Sequence, residues 1–275
     1  MPRWRDTPGA RILAKAYPML RELAAAGKAG GRAGARDLYD RLAIEEYGPI
    51  DADHPLVVAC LLRSGGGYGP RHVRWLRDQF AARCRAPHRF VCLADTDIPG
   101  VETIPLENSA AMAPNAWGQV ELYRDVWPRD ATVVTCDLDT VVFRDFTPHR
   151  CPEGQLFMLR ERGNWHRSAW AVWGAGLTVF RGDFSFIPRM FREDRLAGGE
   201  RDPLYAHISS QEFITCALRA HGRLPMDIDP HLCARYYQGR PDSIVPDAHI
   251  AVFPAHPKPW EISPRPDWIP PLPED

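Results

Sequence analysis

The stretch VVTCDLDTVVFRDF, residues 133–146, places two carboxylates one residue apart between two apolar runs. Asp137 and Asp139 follow a β-branched segment whose length fits a buried strand. Like charges at this spacing repel and raise each other's pKa, so the pair is costly unless a proton or a cation neutralises it. A solvated acidic turn is the simplest alternative, but core-type sequence on both sides of the pair argues against it.

The segments around this stretch predict an α/β domain. Those predicted as strands are 55–63, 88–95, 101–106, 132–139, 155–161 and 175–182, and those predicted as helices are 70–84, 117–127 and 209–221. Strands that alternate with helices indicate a mixed, mostly parallel sheet with flanking helices. In such sheets the functional loops follow the carboxyl ends of the strands.

This domain is predicted to span residues 51–262 and to be flanked by two appendages. Residues 1–50 contain two helical patterns around a Gly/Ala-rich linker, which predicts a helical prefix. Residues 263–275 are Pro-rich, which predicts an extended tail that wraps the surface or is mobile.

Composition narrows the class of protein. The chain has 275 residues with a formal net charge of -1, which suits one large globular domain and argues against a strong field for nucleic acid. It has no leader-like apolar segment at its start and no apolar run long enough to span a membrane. The seven cysteines show no zinc-site spacing, and Cys60, Cys92 and Cys136 lie in predicted strands as buried thiols. We therefore expect a cytoplasmic protein with free thiols.

The acidic pair has the chemistry of a divalent-cation site. Residues i and i+2 of a strand point to one face, so Asp137 and Asp139 would lie side by side while Leu138 enters the core. Carboxylate oxygens suit Mg²⁺ or Mn²⁺, and such a cation can bridge a diphosphate. A phosphatase-type DxDxT pattern would need threonine at position 141, where this chain has valine.

Lys258 and the loop at residues 64–69 are two further candidates for ligand binding. Lysine occurs only at positions 15, 28 and 258, so Lys258 stands out in a chain whose cations are almost all arginine. The loop SGGGYG, residues 64–69, follows the first strand. Its glycines permit close backbone approach to a ligand, and Tyr68 offers a ring for stacking on a nucleobase.

Six segments together resemble the metal-dependent GT-A glycosyltransferases, particularly family eight, the glycogenin-like retaining enzymes. They are RFVCLAD (89–95), VELYR (120–124), CDLDTVVFRDF (136–146), WGAGLTVF (173–180), QEF (211–213) and HPKPW (256–260). The resemblance follows the family's order over about residues 55–260.

This resemblance implies roles for individual residues. The implied donor-binding residues are Leu61, Arg63, Ser64, Tyr68, Gln119, Asp137, Leu138, Ala175, Gly176 and Lys258. Gln211 and Glu212 would lie beside the reacting sugar carbon. Asp137, Asp139 and His256 would hold Mn²⁺ or Mg²⁺. Lys258 would meet the diphosphate, and Trp260 would pack beneath its loop.

The chain departs from the family pattern at four positions. Pro254 stands where the family has its metal-binding histidine, and Ala255 replaces a glycine; His256, two residues later, is the candidate substitute. Gln119 replaces a lysine, and Ser210 replaces an aspartate.

The implied function is transfer of a sugar from a nucleotide donor, with a UDP-sugar favoured, to a hydroxyl acceptor with retention of anomeric configuration. The acceptor class stays open among a glycan, a protein and a modified nucleic-acid base. Two alternatives stay open as well. A sugar-phosphate nucleotidyltransferase shares the layout, and a non-catalytic nucleotide-sugar-binding relic would fit the four departures.

Overall fold

A computed structural model of the chain describes residue 50 and residues 53–107, 116–160, 173–196, 209–228, 232–236, 248–254 and 256–274. The predicted prefix therefore lies outside the described residues, except for Ile50, which is buried. In the described part of the chain, no helix has both the length and the apolar character needed to cross a bilayer.

The described elements follow the predicted order, with additions. The strands are β1 (Leu56–Leu62), β2 (Arg89–Ala94), β3 (Glu102–Pro105), β4 (Thr132–Cys136), β5 (Val141–Val142), β6 (Leu156–Arg160), β7 (Trp173–Arg181), β8 (Met226–Asp227), β9 (Cys233–Arg235) and β10 (Ile250–Val252). The α-helices are α1 (Pro70–Arg83), α2 (Phe186–Leu196) and α3 (Ser210–Ala220), and two 3₁₀ helices span Ala116–Tyr123 and Pro259–Glu261.

The main sheet confirms the predicted fold class. Its seven strands run in the order β3-β2-β1-β4-β7-β6-β8. Neighbours from β3 to β4 are parallel, β7 is antiparallel to β4 and to β6, and β8 is parallel to β6. Because β7 runs against β4, its first half lies beside the carboxyl end of β4, with Cys136 opposite Leu177. A second, three-stranded sheet has the order β5-β10-β9.

Helices cover both faces of the main sheet. On one face, α1 buries Val73, Leu76 and Phe80 against a cluster that includes Val58 and Cys60 of β1. On the other face, Trp117 of the 3₁₀ helix stacks on Phe191 of α2 at 5.5 Å and meets the edge of Phe213 of α3 at 6.0 Å. The predicted buried thiols Cys60, Cys92 and Cys136 are part of this core.

Segment 117–127, predicted as a helix, forms a 3₁₀ helix over Ala116–Tyr123 that ends four residues before the predicted end. Gly118 lies so close to β1 that a Cβ there would come within 2.8 Å of Leu61 Cδ2. Trp127, which lies after the 3₁₀ helix, donates a hydrogen bond of 2.7 Å from Nε1 to Leu122 O within it. These tertiary contacts override the helical pattern of the sequence.

Helix α2 and the strands of the second sheet are elements that the sequence did not predict. Pro188 interrupts the helical pattern of α2, but it lies in the first turn, where the missing N–H has no partner to lose. Strands of two or three residues, such as β5, β9 and β10, are too short for a readable period.

The Pro-rich tail packs on the second sheet. Trp268 lies 5.1 Å from Phe143 and 6.3 Å from Phe253 between ring centroids. Ile269 is 2% exposed in the same cluster. The tail therefore shares a hydrophobic cluster with the second sheet, which contains β10 and precedes the Lys258 loop.

Ile269→Ala should lower the free energy of unfolding by about 2–4 kcal/mol, because truncation of a fully buried isoleucine loses apolar burial and leaves a cavity. Urea unfolding followed by tryptophan fluorescence measures this change. Arg265→Ala, at an exposed site in the same tail, is the control and should stay within about 0.5 kcal/mol of the unmodified chain. Equal stabilities of the two variants would show that the tail contributes no burial.

Candidate functional site

The acidic pair lies in a turn at the carboxyl end of β4. The strand ends at Cys136, three residues earlier than predicted from the sequence pattern. Asp137 N donates to Gly176 O at 2.9 Å, which extends the pairing with β7, and Thr140 N then donates to Asp137 O at 3.1 Å. Leu138 is buried, as its position between the acids predicts.

Asp139 is a buried carboxylate with one oxygen occupied and one oxygen open. Its Oδ2 accepts hydrogen bonds from Lys258 Nζ at 2.6 Å and from Tyr68 OH at 2.8 Å. Its Oδ1 is buried and has no hydrogen-bond partner among the described residues. A buried carboxylate oxygen without a partner is energetically costly, so Asp139 Oδ1 is a candidate contact for a bound ligand.

Lys258 is held in place by its own loop. The side chain is 17% exposed, and Nζ also lies 3.4 Å from Phe253 O. Its backbone N–H donates to Glu261 Oε2 at 2.7 Å. The ammonium group therefore lies against Asp139 with little freedom to move elsewhere.

His256 lies at the exposed edge of this loop. Its side chain is 77% exposed, and Nδ1 lies 2.8 Å from Glu261 Oε2. Among the residues that the structure describes, no three His, Cys, Asp or Glu side chains gather into a group that could hold a metal. The cation role of His256 thus remains a prediction from the resemblance, and the structure places the ring against Glu261.

An aromatic cluster lies beneath the loop. Trp260 packs edge-on against His72 at 4.7 Å, Trp75 at 5.8 Å and Tyr68 at 5.9 Å between ring centroids. Burial, followed by the charge of Asp139, raises the pKa of the Tyr68 phenol well above its usual value, so the hydroxyl stays protonated and donates. The Tyr68 ring is therefore tied to the carboxylate by its hydroxyl and to the loop by its edge.

Asp137 has a different set of neighbours. Its Oδ1 accepts a hydrogen bond of 2.8 Å from Gln119 Nε2. Gly176 lies on the other side, and a Cβ there would come within 3.3 Å of Asp137 Oδ2 and 2.6 Å of Val252 Cγ1. Because Gly176 has no side chain, β7 can pass close to both Val252 and the Asp137 carboxylate without a clash.

Burial raises the pKa of Asp137 to about 7, and the charge of Asp139 adds to the effect. The Gln119 hydrogen bond and the charges of Lys258 and Arg235 oppose it. Asp137 keeps some solvent contact, so its charge is partly screened. The pair therefore gains from a positive charge at neutral pH.

This shift predicts a pH-dependent stability in the presence of EDTA. Between about pH 4 and 7 the folded state holds a proton that the unfolded state, with an ordinary pKa near 3.9, has lost. Stability should therefore fall as pH rises through this window, by at most roughly 1 kcal/mol per pH unit. Urea unfolding at pH 5, 6, 7 and 8 measures the slope. Asp137→Asn should flatten it, and identical slopes for the two chains would contradict the prediction.

The loop after β1 is anchored by a residue that sequence reasoning missed. Asp95, which follows β2, accepts from Ser64 N and from Ser64 Oγ, both at 2.8 Å. Gly65 has φ of +83°, a left-handed conformation that favours glycine. Leu61 packs against Gly118. Arg63, which directly precedes Ser64, is half-buried. The signal for Asp95 was available, since this carboxylate ends the second predicted strand as the acidic pair ends the fourth.

The first turn of α3 faces β7. Gln211 Oε1 accepts from Ala175 N at 3.3 Å, next to Gly176. Glu212 Oε2 accepts from Ser209 N at 2.6 Å, and Glu212 N donates to Ser209 Oγ, which together form a capping box. The two residues predicted beside the reacting carbon thus differ in place: Gln211 bonds to β7, and Glu212 caps its own helix.

Most predicted site residues therefore converge on one edge of the sheet. Those linked by the bonds described above are Tyr68, Gln119, Asp137, Asp139, Ala175, Gly176, Gln211 and Lys258. Sequence reasoning missed Asp95 and also Arg235 of β9, whose charge acts on Asp137.

Comparisons with known proteins show similarity in structure only. No family model matches the chain, and no curated protein matches it. The glycosyltransferase GlyE of Streptococcus pneumoniae TIGR4 matches with a TM-score of 0.50 and 12% identity over 75% of this chain, which spans 56% of the GlyE chain.

Two further matches are weaker. The galactosyltransferase LgtC, solved with donor and acceptor sugar analogs, matches with a TM-score of 0.47 and 12% identity over 74% of this chain and 89% of its own. Mouse xyloside xylosyltransferase 1 matches with a TM-score of 0.42 and 11% identity over 75% of this chain and 98% of its own. At this level of identity, the likeness to GlyE defines the fold: the chain has the mixed α/β fold of the GT-A glycosyltransferases.

Proposed function

We propose that this chain is a cation-dependent glycosyltransferase. It would move a sugar from a nucleotide donor, with a UDP-sugar favoured, to a hydroxyl acceptor with retention of anomeric configuration. The observation that carries the proposal is Asp139, a buried carboxylate that bonds to Lys258 through one oxygen and leaves the other open. A buried acid, a partly buried cation and a second acid at the carboxyl end of β4 match the needs of a reaction in which a diphosphate leaves.

The residues present fit a divalent cation that is shared with the substrate. Asp139 Oδ1 lacks a partner among the described residues, and the Asp137 carboxylate lies in the same turn, with its Oδ2 close to Gly176. Two carboxylates are a usual protein contribution for Mg²⁺ or Mn²⁺, which take their remaining ligands from water and from substrate phosphates. When bound, such a cation neutralises charge on the leaving diphosphate.

The chain's own groups perform the remaining tasks. Lys258 is a compact, strongly charged donor, and in the absence of donor its charge is balanced by Asp139. As the bond between the sugar carbon and the diphosphate oxygen breaks, the ammonium stabilises the charge that develops on that oxygen. The acceptor oxygen forms the new bond to carbon, and its proton passes to the departing phosphate oxygen.

The position of Glu212 favours attack from the same side as departure. A double displacement needs a carboxylate nucleophile facing the sugar carbon. Glu212 Oε2 instead accepts from Ser209 N in the capping box and is buried at the start of α3. Gln211, which bonds to Ala175 N, is then the residue of this turn that would face the donor sugar.

The test is an assay of the full chain with a panel of nucleotide sugars and with Mn²⁺, Mg²⁺ or EDTA. We expect release of free sugar and nucleoside diphosphate from one donor, with loss of turnover in EDTA. Release of pyrophosphate from a nucleoside triphosphate and a sugar phosphate would instead support the nucleotidyltransferase. Calorimetric binding of a donor without any turnover would support the non-catalytic alternative.

A further inference from the structure

A line of hydrogen bonds leads from helix α3 to the acidic turn. Ser210 is the first residue of α3 and is 3% exposed. Its Oγ donates to Gln119 Oε1 at 2.7 Å, and Gln119 Nε2 donates to Asp137 Oδ1 at 2.8 Å. In the sequence, Gln119 and Ser210 are two separate departures from the family pattern that the resemblance implies. In the structure they are hydrogen-bond partners.

The chemistry of these groups fixes the direction of the line. When Asp137 is ionised, as it must be to hold a cation, its carboxylate only accepts, so the amide presents Nε2 to it. The amide oxygen then points to Ser210, whose hydroxyl has one proton to donate. Without that hydroxyl the amide oxygen would lose its partner, and the Gln119 side chain would keep only one of the two hydrogen bonds that hold it beside Asp137.

The surrounding contacts make this line rigid. Gly118, next to Gln119, is packed against Leu61 with no room for a side chain. Gln211, next to Ser210, bonds to Ala175 N on β7. The backbone at both ends of the Ser210–Gln119 hydrogen bond is therefore held by contacts with the sheet. What remains to be fixed is the position of the Gln119 side-chain amide, and the bond from Ser210 contributes to fixing it.

We infer that Ser210 is a positioning residue, which acts through Gln119 to hold the Asp137 carboxylate in the orientation that the cation requires. The inference rests on the proposed function, because it concerns the cation at the same site. Partners that orient a metal-binding carboxylate contribute strongly to affinity even though they do not touch the metal. In this chain the task falls to a neutral serine–amide pair.

The test measures Mn²⁺ affinity in the presence of UDP, by the electron paramagnetic resonance signal of free Mn²⁺. Ser210→Ala should weaken Mn²⁺ binding by roughly tenfold while the protein remains folded. Thr215→Val is the matched control, since it removes another buried hydroxyl of α3, which bonds to Gln211 O at 2.9 Å and not to Gln119. It should bind Mn²⁺ as the unmodified chain does.

A double-mutant cycle separates positioning from a general structural effect. In a Gln119→Ala background the further change Ser210→Ala should have no effect on Mn²⁺ affinity, because the connection is already broken. Equal affinities of Ser210→Ala and the unmodified chain, or additive effects of the two changes, would overturn the inference and leave the proposed function standing. An unmodified chain that binds no Mn²⁺ with UDP would overturn both.

Discussion

Asp139→Ala should lower cation-activated donor turnover by about 10³-fold, because it removes a carboxylate on which both the cation and Lys258 depend. Several kcal/mol of charge stabilisation are lost at once, since Lys258 Nζ also loses its partner at 2.6 Å. The measurement is kcat for release of nucleoside diphosphate at saturating Mn²⁺. Asp139→Asn, which keeps the shape and removes the charge, should be impaired to a similar degree.

The control for this experiment is Asp145→Asn. Asp145 is an exposed acid that pairs with Arg83 and Arg85 on the surface, so its loss should leave turnover within about twofold. Circular dichroism and urea unfolding show whether each variant is folded at the assay temperature. A folded Asp139→Ala variant with undiminished turnover would refute the cation role and, with it, the proposed function.

The elements with strong sequence patterns were predicted well. Strands β1, β2 and β4 are continuous apolar runs, as expected for a sheet that is covered on both faces, and their observed ends lie within three residues of the predicted ones. Helix α3 was recognisable from its Ser209 cap and Glu212. Segment 117–127 was predicted as a helix, but its 3₁₀ form and its end at Tyr123 were not, and the close contact of Gly118 with Leu61 is one that no local pattern records.

For the candidate site, the sequence supplied residue types but not partners. The spacing of Asp137 and Asp139 indicated a cation, and the scarcity of lysine singled out Lys258. The bond from Lys258 to Asp139 spans 119 residues, and that from Ser210 to Gln119 spans 91, so only the folded chain reveals them. The same applies to Tyr68, whose hydroxyl bonds to a carboxylate 71 residues away.

These long-range bonds change the meaning of the departures from the family pattern. The resemblance to the GT-A glycosyltransferases implies that Gln119 and Ser210 each stand in place of a charged residue. In the structure they satisfy each other and leave Asp137 with one oriented donor.

Lys258→Met should lower kcat by about 10²-fold with a smaller change in the donor KM, because the ammonium acts on charge that develops as the diphosphate leaves. The free energy of unfolding of the variant should also fall by about 3 kcal/mol, since Asp139 would stay buried and lose its counter-charge.

Tyr68→Phe removes the other hydrogen bond to Asp139 Oδ2 and keeps the ring packing. It therefore tests whether loss of any hydrogen-bond partner of Asp139 lowers kcat as much as loss of Lys258 does. We expect its kcat to fall by less than about tenfold, because the phenol carries no charge.

The stability and kinetic effects of Lys258→Met can be separated by removing Asp139's charge as well. In an Asp139→Asn background, Lys258→Met should no longer destabilise the fold, because no buried charge remains without a partner. Turnover should stay low in the double variant, since neither charge is present to act on the diphosphate. Arg265→Met, which removes an exposed cation from the Pro-rich tail, is the control and should change neither quantity. A Lys258→Met variant with an unchanged kcat and a lowered stability would show that the lysine serves the fold alone.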